Sequence, residues 1–412
     1  MTSDPLYEAI TTLKTELMSL QQNVQSLTST DAQIALLKRA FLTKIQQQLD
    51  DLDYLKEVYE TRLAQLREAI ENRPYLRTDY QALYNYIRRG VMNIRYALES
   101  VLTHIYGDVC AHLITMQQGD EQTRKFKLFL DRYLGELIIE CWSLSRLSDR
   151  QIICLLGKEY ASTGIFINES VFLISIPVYD LIQPWYWPIL SHEIGHMIFY
   201  EIRDRFNYTR LLRRIANMLR RSAPERYRGD VINEYIAYWN RYWLREFCTD
   251  LIGLSLVGPS FSVALINNLS SYPGEFRANV LSTHPTLEAR IAAQIMLLSI
   301  ANFPENLKHE VRSRCEALSV GLGRRIGEEA EYPFTTDVLE MVVNAVYRGL
   351  NEHPPVIDKI DEIYDCCCAL TEGKINTEDP FILVNSLIFS PQREDLLPRI
   401  LEIIGAGQRS PP

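Results

Sequence analysis

Two of the chain's seven histidines lie in a motif whose spacing suits metal binding. The segment reads His192-Glu193-Ile194-Gly195-His196, so the two imidazoles are four residues apart. On a helix, positions four apart lie one turn above each other, and both rings can reach one Zn²⁺ at about 2.0–2.1 Å. Glu193 lies at the neighbouring azimuth, where its carboxylate can act on a water molecule instead of binding the metal. We therefore expect one zinc ion held by His192 and His196, with Glu193 as a catalytic residue.

A second pair of residues, Glu246 and Asp250, offers the remaining zinc ligand. Both lie four residues apart in an apolar segment, where a lone carboxylate would be costly to bury. With a metal nearby, Glu246 would be the third ligand, and Asp250 would accept the free N–H of a zinc-bound histidine. The alternative is that this carboxylate pair forms salt bridges with Arg245 or Arg241.

The residues around the first motif predict how it is positioned. Pro188 suits a first helical turn, and the apolar run Met197–Phe199 places the motif within a buried helix. Gly195 would let another backbone or a ligand approach that helix closely. Upstream, residues 165–178 are rich in β-branched and aromatic side chains, which predicts a strand.

The order of these motifs resembles that of the gluzincin metallopeptidases. A third segment, Thr283–Ile291, reads THPTLEARI and is similar to the T-H-P-x-x-x-x-R-I signature of the CAAX prenyl endopeptidase, HtpX and Oma-type peptidases. The resemblance covers roughly residues 160 to 300, about a third of the chain. Those relatives are mostly membrane-embedded, whereas this chain lacks credible flanking spans. The resemblance thus implies a soluble, minimal gluzincin core and does not imply a prenylated substrate.

The resemblance also implies roles for individual residues. His284 would donate to the oxyanion formed during peptide hydrolysis; alternatively, it caps a turn before Pro285. Arg290 would orient carboxylates or pin its helix. The strand at 165–178 resembles the edge strand above the active helix, where an extended peptide can pair with the backbone. Thr249 is a minor departure, since a small residue often precedes the aspartate in this family.

The predicted fold class is mainly α, with an α+β catalytic core that combines zinc-binding helices and a small β-sheet. Residues 1–75 form a long helical hairpin or coiled coil, because the first 89 residues lack glycine and contain a heptad seam. The first seam consists of Leu6, Ile10, Leu13, Leu17, Leu20, Val24 and Leu27. This hairpin either lies on the rest of the protein or protrudes as a dimerisation or partner-binding arm. Residues 76–300 form the metallopeptidase domain, helical to about 160 with core motifs in 165–295, and 301–412 form a helical accessory region.

Composition excludes several classes of protein. With 43 Lys and Arg against 52 Asp and Glu, the net charge is −9, and 47% of the residues are hydrophobic. The chain is thus a globular protein that is not built around nucleic-acid phosphates. The absence of a secretory signal and the contiguous Cys366–Cys368 favour a cytoplasmic location. The uncharged stretch from Leu251 to Gly274 could span a bilayer, but Gly258-Pro259-Ser260 interrupts it and favours two buried helices.

Arginine is concentrated between the two zinc motifs, with nine arginines and no lysine from Arg203 to Arg228. One interpretation is a surface for an acidic partner or substrate. The other is a solvated helix face whose arginines pair with the chain's own acidic residues. Interleaved aromatic residues are few, which disfavours nucleic acid.

Taken together, the sequence predicts a zinc-dependent endopeptidase of narrow specificity that acts on a peptide or protein substrate. Two alternatives stay open. One is a scaffold that keeps the metallopeptidase core without cleaving, against which the intact Glu193 argues. The other is a zinc hydrolase that acts on something other than peptides.

Overall fold

The computed structural model describes residues 4–29, 32–141, 151–157, 161–162, 171–225, 229–270, 283–321 and 332–406. Within these ranges the chain is mainly helical with one small sheet, which confirms the predicted fold class. The strands are β1 (Gln151–Gly157), β2 (Ala161–Ser162) and β3 (Val171–Pro177), in the order β1-β3-β2. The chain divides into two compact units, the first comprising Met1–Gln118, Arg150–Glu159 and Thr163–Ser175, and the second the remainder.

The first unit contains a helical hairpin and the helices that pack on it. Its helices are α1 (Pro5–Ser26), α2 (Ala32–Val58), α3 (Ala64–Asn72), α4 (Arg77–Ala97) and α5 (Thr103–Gln118). Helix α1 packs along α2, and the predicted seam is buried from Leu6 to Val24. Helix α4 packs against both, and Gly90 permits this because a Cβ there would lie 2.7 Å from Leu55 Cδ1. The hairpin seam is therefore filled by this chain itself.

The unit boundaries differ from the predicted domain limits. Helices α4 and α5 belong with the hairpin, so the first unit continues to Gln118 and not only to residue 75. Residues after 300 belong to the same unit as the motifs predicted to bind zinc, because the helix Thr336–Gly349 packs on the helices Leu244–Val257 and Leu287–Ile300. The helical character predicted after residue 300 is present in the described residues.

Strand β1 corrects the prediction that helix continues to residue 160. Among the described residues, the helix Glu121–Cys141 is followed by Gln151–Gly157, which is extended. The run Ile152–Leu156 is short and wholly apolar, a pattern that periodicity alone cannot assign to helix or strand. Helix α5 packs on β1, and the Leu156 backbone N–H donates to His112 Nδ1 at 3.3 Å. Of the predicted strand at 165–178, residues 171–177 are β3 and residues 165–170 lie outside the described residues.

The second unit holds the motif-bearing helices. They are α6 (Glu121–Cys141), α7 (Leu190–Ile202), α8 (Tyr208–Ser222), α9 (Asp230–Tyr238), α10 (Leu244–Val257), α11 (Pro259–Ser270), α12 (Leu287–Ile300), α13 (Glu305–Gly321), α14 (Thr336–Gly349), α15 (Ile360–Thr371), α16 (Pro380–Leu387) and α17 (Arg393–Ala406). The described part of the uncharged stretch, residues 251–270, lies in α10 and α11, which meet at Gly258 (φ +72°). The prediction of two helices interrupted at Gly258-Pro259 is confirmed for these residues. Among the described helices, none is long and apolar enough to cross a bilayer.

The burial of the hairpin seam can be tested at Leu17. Leu17→Ala should lower the free energy of unfolding by about 2–5 kcal/mol, because Leu17 is fully buried and truncation leaves a cavity. Met18→Ala is the matched control, since Met18 is 46% exposed on the same helix, and its effect should stay within about 0.5 kcal/mol. Denaturant titration measures both; equal effects would show that the seam is not buried in this chain.

Candidate metal centre

Helices α7 and α10 carry the two motifs that the sequence predicts to bind zinc, and they lie against each other with little space between their backbones. A Cβ built at Gly195 would lie 2.7 Å from the Thr249 carbonyl oxygen, so any larger residue would push the helices apart. A Cβ at Gly253 would lie 3.2 Å from the His192 backbone nitrogen. Glycine on both helices therefore permits the contact, and the partner that the sequence predicted for Gly195 is the backbone of α10.

This contact brings His192, His196 and Glu246 together. Their ligand atoms all lie within 4.8 Å of one another. Glu246 Oε2 is 3.5 Å from His192 Nε2 and 3.8 Å from His196 Nε2. Two ligands at the usual zinc distances in a tetrahedral site are about 3.3–3.4 Å apart, close to these separations. The group could therefore hold a metal ion.

The surroundings of Glu246 fit a metal ion better than a salt bridge alone. Arg245 approaches Oε1 at 3.3 Å, so the salt bridge considered from the sequence is present at that oxygen. Oε2, however, is buried and accepts no hydrogen bond from the described residues. A buried carboxylate oxygen that accepts no hydrogen bond is unfavourable, and a cation, either a proton on His192 or a metal ion between the two imidazoles, would offset its charge.

His192 is oriented by a chain of buried charges. Its Nδ1 lies 2.8 Å from Asp250 Oδ1. Asp250 in turn accepts two hydrogen bonds from Arg290 of α12, from Nε at 2.6 Å and from Nη2 at 2.7 Å. Because Nδ1 is engaged with Asp250, His192 presents Nε2 to the ligand group, an arrangement common among metal-binding histidines. Asp250 and Arg290 thus lie where the sequence predicted supporting residues.

Thr249 orients the second histidine. Its hydroxyl donates to the Arg245 carbonyl at 2.7 Å, and the same oxygen lies 3.2 Å from His196 Nδ1. Since the hydroxyl proton is committed to the carbonyl, the threonine oxygen accepts the Nδ1–H, which leaves Nε2 as the unprotonated nitrogen. Sequence reasoning missed this role. The spacing could have indicated it. Thr249 lies three residues after Glu246, so both side chains share one face of a helix, and it comes directly before Asp250.

His284 and Glu193 lie beside the ligand group. His284 Nε2 is 3.5 Å from Glu246 Oε2, but its side chain is 49% exposed and it falls outside the group whose ligand atoms lie within 4.8 Å. The N-cap of the helix that follows, Leu287–Ile300, is Thr286, whose side chain accepts a hydrogen bond from the Ala289 backbone N–H. Glu193 lies on α7 next to His192 and is only 9% exposed. His284 is therefore an accessible side chain next to the ligand group.

The sheet differs from the arrangement that the resemblance implies. The predicted edge strand is β3, but β3 lies in the middle of the strand order. The edge strand that contacts α7 is β2, Ala161–Ser162, which the sequence did not predict as a separate strand. Two residues give too weak a pattern to recognise in a sequence.

Comparisons with protein-family models, with curated proteins and with solved structures found no match to this chain. The gluzincin resemblance therefore rests on the three motifs. What the structure adds is that residues from all three, on α7, on α10 and at the start of α12, meet at one buried group that could hold a metal ion.

The pKa values at the site show how its charges balance without a metal. Burial by itself lowers the pKa of His192, but its contacts with Asp250 and Glu246 outweigh burial and raise that pKa to about 10. Burial, helped by His192, lowers the pKa of His196 to about 3. Burial opposes ionisation of Asp250 and Glu246, yet Arg290 and His192 bring the pKa of Asp250 to about 2, and the histidines hold that of Glu246 well below its usual range. The metal-free site therefore carries one proton on His192.

The proton on His192 makes the metal affinity of the site depend on pH. Below pH 10 a metal must displace the His192 proton, so binding competes with protonation. The apparent zinc affinity should rise about tenfold per pH unit between about pH 6 and about pH 8. Competition with a chelator of known pH dependence measures the slope, and calorimetry in two buffers counts the released proton. An affinity that is independent of pH would contradict a protonated His192.

Thr249→Val tests the orientation of His196. Valine keeps the shape but removes the acceptor for Nδ1–H, so zinc affinity should fall about 10- to 100-fold. Thr249→Ser is the matched control, because it keeps the hydroxyl and should bind within about threefold of the original chain. Zinc competition against a chromogenic chelator compares the two variants, and an unchanged affinity in the valine variant would show that the hydroxyl does not support the ring.

Proposed function

We propose that this protein is a zinc-dependent endopeptidase. The observation that carries the proposal is the buried His192–His196–Glu246 group, in which Glu246 Oε2 accepts no hydrogen bond from the described part of the chain, with Glu193 on the same helix as both histidines. Two imidazoles and one carboxylate are a ligand set typical of catalytic zinc, because three protein ligands leave a fourth position for water or substrate. A zinc ion held there would lower the pKa of a water molecule toward about 7 and polarise a carbonyl group.

Glu193 would act as the general base. It adjoins His192 in the chain and is nearly buried, so its carboxylate is shielded from bulk solvent. In peptide hydrolysis it would take a proton from the attacking water and deliver it to the leaving amine. His284, half-exposed and next to Glu246, would donate a hydrogen bond to the carbonyl oxygen as negative charge develops there.

Strand β2 supports a peptide as the substrate. It lies at the edge of the strand order and contacts α7, the helix that carries Glu193. An extended peptide could pair its backbone with such an edge and bring one amide bond toward the metal group. This contact between a strand edge and the motif helix favours peptide hydrolysis over other zinc-dependent hydrolysis.

Glu193→Gln separates catalysis from metal binding. The amide cannot accept the proton, so turnover should fall at least about 100-fold while zinc content stays at one per chain. Cleavage is measured on a proteome-derived peptide mixture by mass spectrometry of new termini, with and without chelator, and zinc by elemental analysis. Glu340→Gln, an exposed change on α14, is the matched control and should cleave like the original chain.

Each other outcome points to a different function. Zinc binding without any cleavage by the original chain would favour a scaffold that keeps the metal group. Chelator-sensitive hydrolysis of esters or amides, without peptide cleavage, would favour a non-peptide hydrolase. Cleavage that survives Glu193→Gln would overturn the proposed general base, and Glu246→Ala with unchanged zinc content would overturn the ligand set.

A further inference from the structure

Helix α8 and the turn before it carry an unusually dense positive charge. Residues 203–222 contain seven arginines and a single acidic residue, Asp204, in a chain whose net charge is −9. All seven are exposed: Arg203, Arg205, Arg210, Arg213, Arg214, Arg220 and Arg221. The other two arginines of the segment, Arg226 and Arg228, lie outside the described residues.

These seven arginines do not neutralise the chain's own acids. Across the described ranges, none of them has an Asp or Glu oxygen within 4.0 Å. The sequence-based alternative, a face whose arginines pair with this chain's Asp and Glu, is therefore not what the described residues show. Their charge is directed to solvent, while Leu211, Ile215 and Leu219 bury the opposite face of α8.

A groove of about 530 Å³ runs between α8 and α9, and two of the arginines line it. Arg213 and Arg220 lie seven residues apart on α8, so they occupy nearly the same side of the helix two turns apart. Asn217, Asn233 and Asn240 add amide groups. The remaining lining is apolar and consists of Leu212, Ala216, Ile236, Ala237 and Trp239. The groove thus combines an apolar surface with two guanidinium groups and several amides.

This chemistry fits a protein segment better than a nucleic acid. Guanidinium groups bind carboxylates in a bidentate manner, and the apolar lining would cover aliphatic side chains. Stacking of bases needs exposed aromatic faces, but Trp239, the aromatic residue among those that line the groove, is 1% exposed. Amphipathic helices commonly bind by laying an apolar face into a groove of this kind.

We propose that the α8–α9 groove binds an acidic, amphipathic segment of a partner protein. Carboxylates of the segment would pair with Arg213 and Arg220, and its apolar side chains would cover Leu212 and Ile236. The groove lies on helices that connect the two metal-binding motifs in the chain, so the bound segment would be held by the same unit as the metal group. Binding itself needs no metal and does not depend on the proposed function.

The test uses a fluorescent peptide of 15 residues, the length of α8, with Leu and Glu at helical spacing. Binding is measured by anisotropy on the full chain carrying Glu193→Gln, so that the probe is not cleaved. Arg213→Glu/Arg220→Glu should weaken binding at least about tenfold, since both changes reverse charges that line the groove. The matched control is Arg210→Glu/Arg214→Glu, which makes the same change of charge on α8 outside the groove lining and should cost less than about threefold.

Four outcomes would overturn the proposal. Equal weakening by both double variants would mean diffuse attraction to the helix, not docking in the groove. A peptide with Gln in place of Glu that binds as tightly would remove the role of charge. A single-stranded or duplex oligonucleotide that binds tighter than the peptide, with the same dependence on Arg213 and Arg220, would assign the surface to nucleic acid. Absence of binding by every probe would leave no docking site there.

Discussion

The close approach of α7 and α10 is the constraint on which the metal group depends. Backbone meets backbone at Gly195 and Gly253, and this contact sets how far the two histidines of one helix lie from the glutamate of the other. An added methyl at Gly195 would meet a carbonyl oxygen, which cannot move aside as a side chain can. Ligand distances in a zinc site can deviate from their ideal values by only a few tenths of an ångström. The packing of these two helices therefore decides whether the three side chains can bind one ion.

The two imidazole rings are oriented by different kinds of side chain. His192 uses a buried carboxylate that Arg290 holds with two hydrogen bonds, whereas His196 uses the neutral hydroxyl of Thr249. A second carboxylate beside His196 would add another negative charge to a buried site that already holds Glu246 and Asp250. A threonine orients the ring without adding charge, and this is a physical reason for a threonine at position 249, directly before Asp250.

Much of this arrangement could be predicted from the sequence because its signals are local. Spacing of four placed His192 with His196 and Glu246 with Asp250 on helices, and the heptad seam from Leu6 to Val24 marked the hairpin core. Strand β1 was missed because a short apolar run has no distinguishing period, and β2 because it has two residues. The hydrogen bond of Thr249 and the groove between α8 and α9 depend on contacts between helices, which one sequence does not reveal.

The charges of the site also explain how it can exist before a metal arrives. With His192 protonated, the positive charges of His192, Arg290 and Arg245 lie against the buried carboxylates of Asp250 and Glu246. A metal ion then replaces a proton in an already formed group. The surrounding helices bury extensive apolar surface of their own, so the fold does not need the metal in the way that small zinc domains do. Because the group is already assembled without a metal, little reorganisation would accompany the entry of an ion.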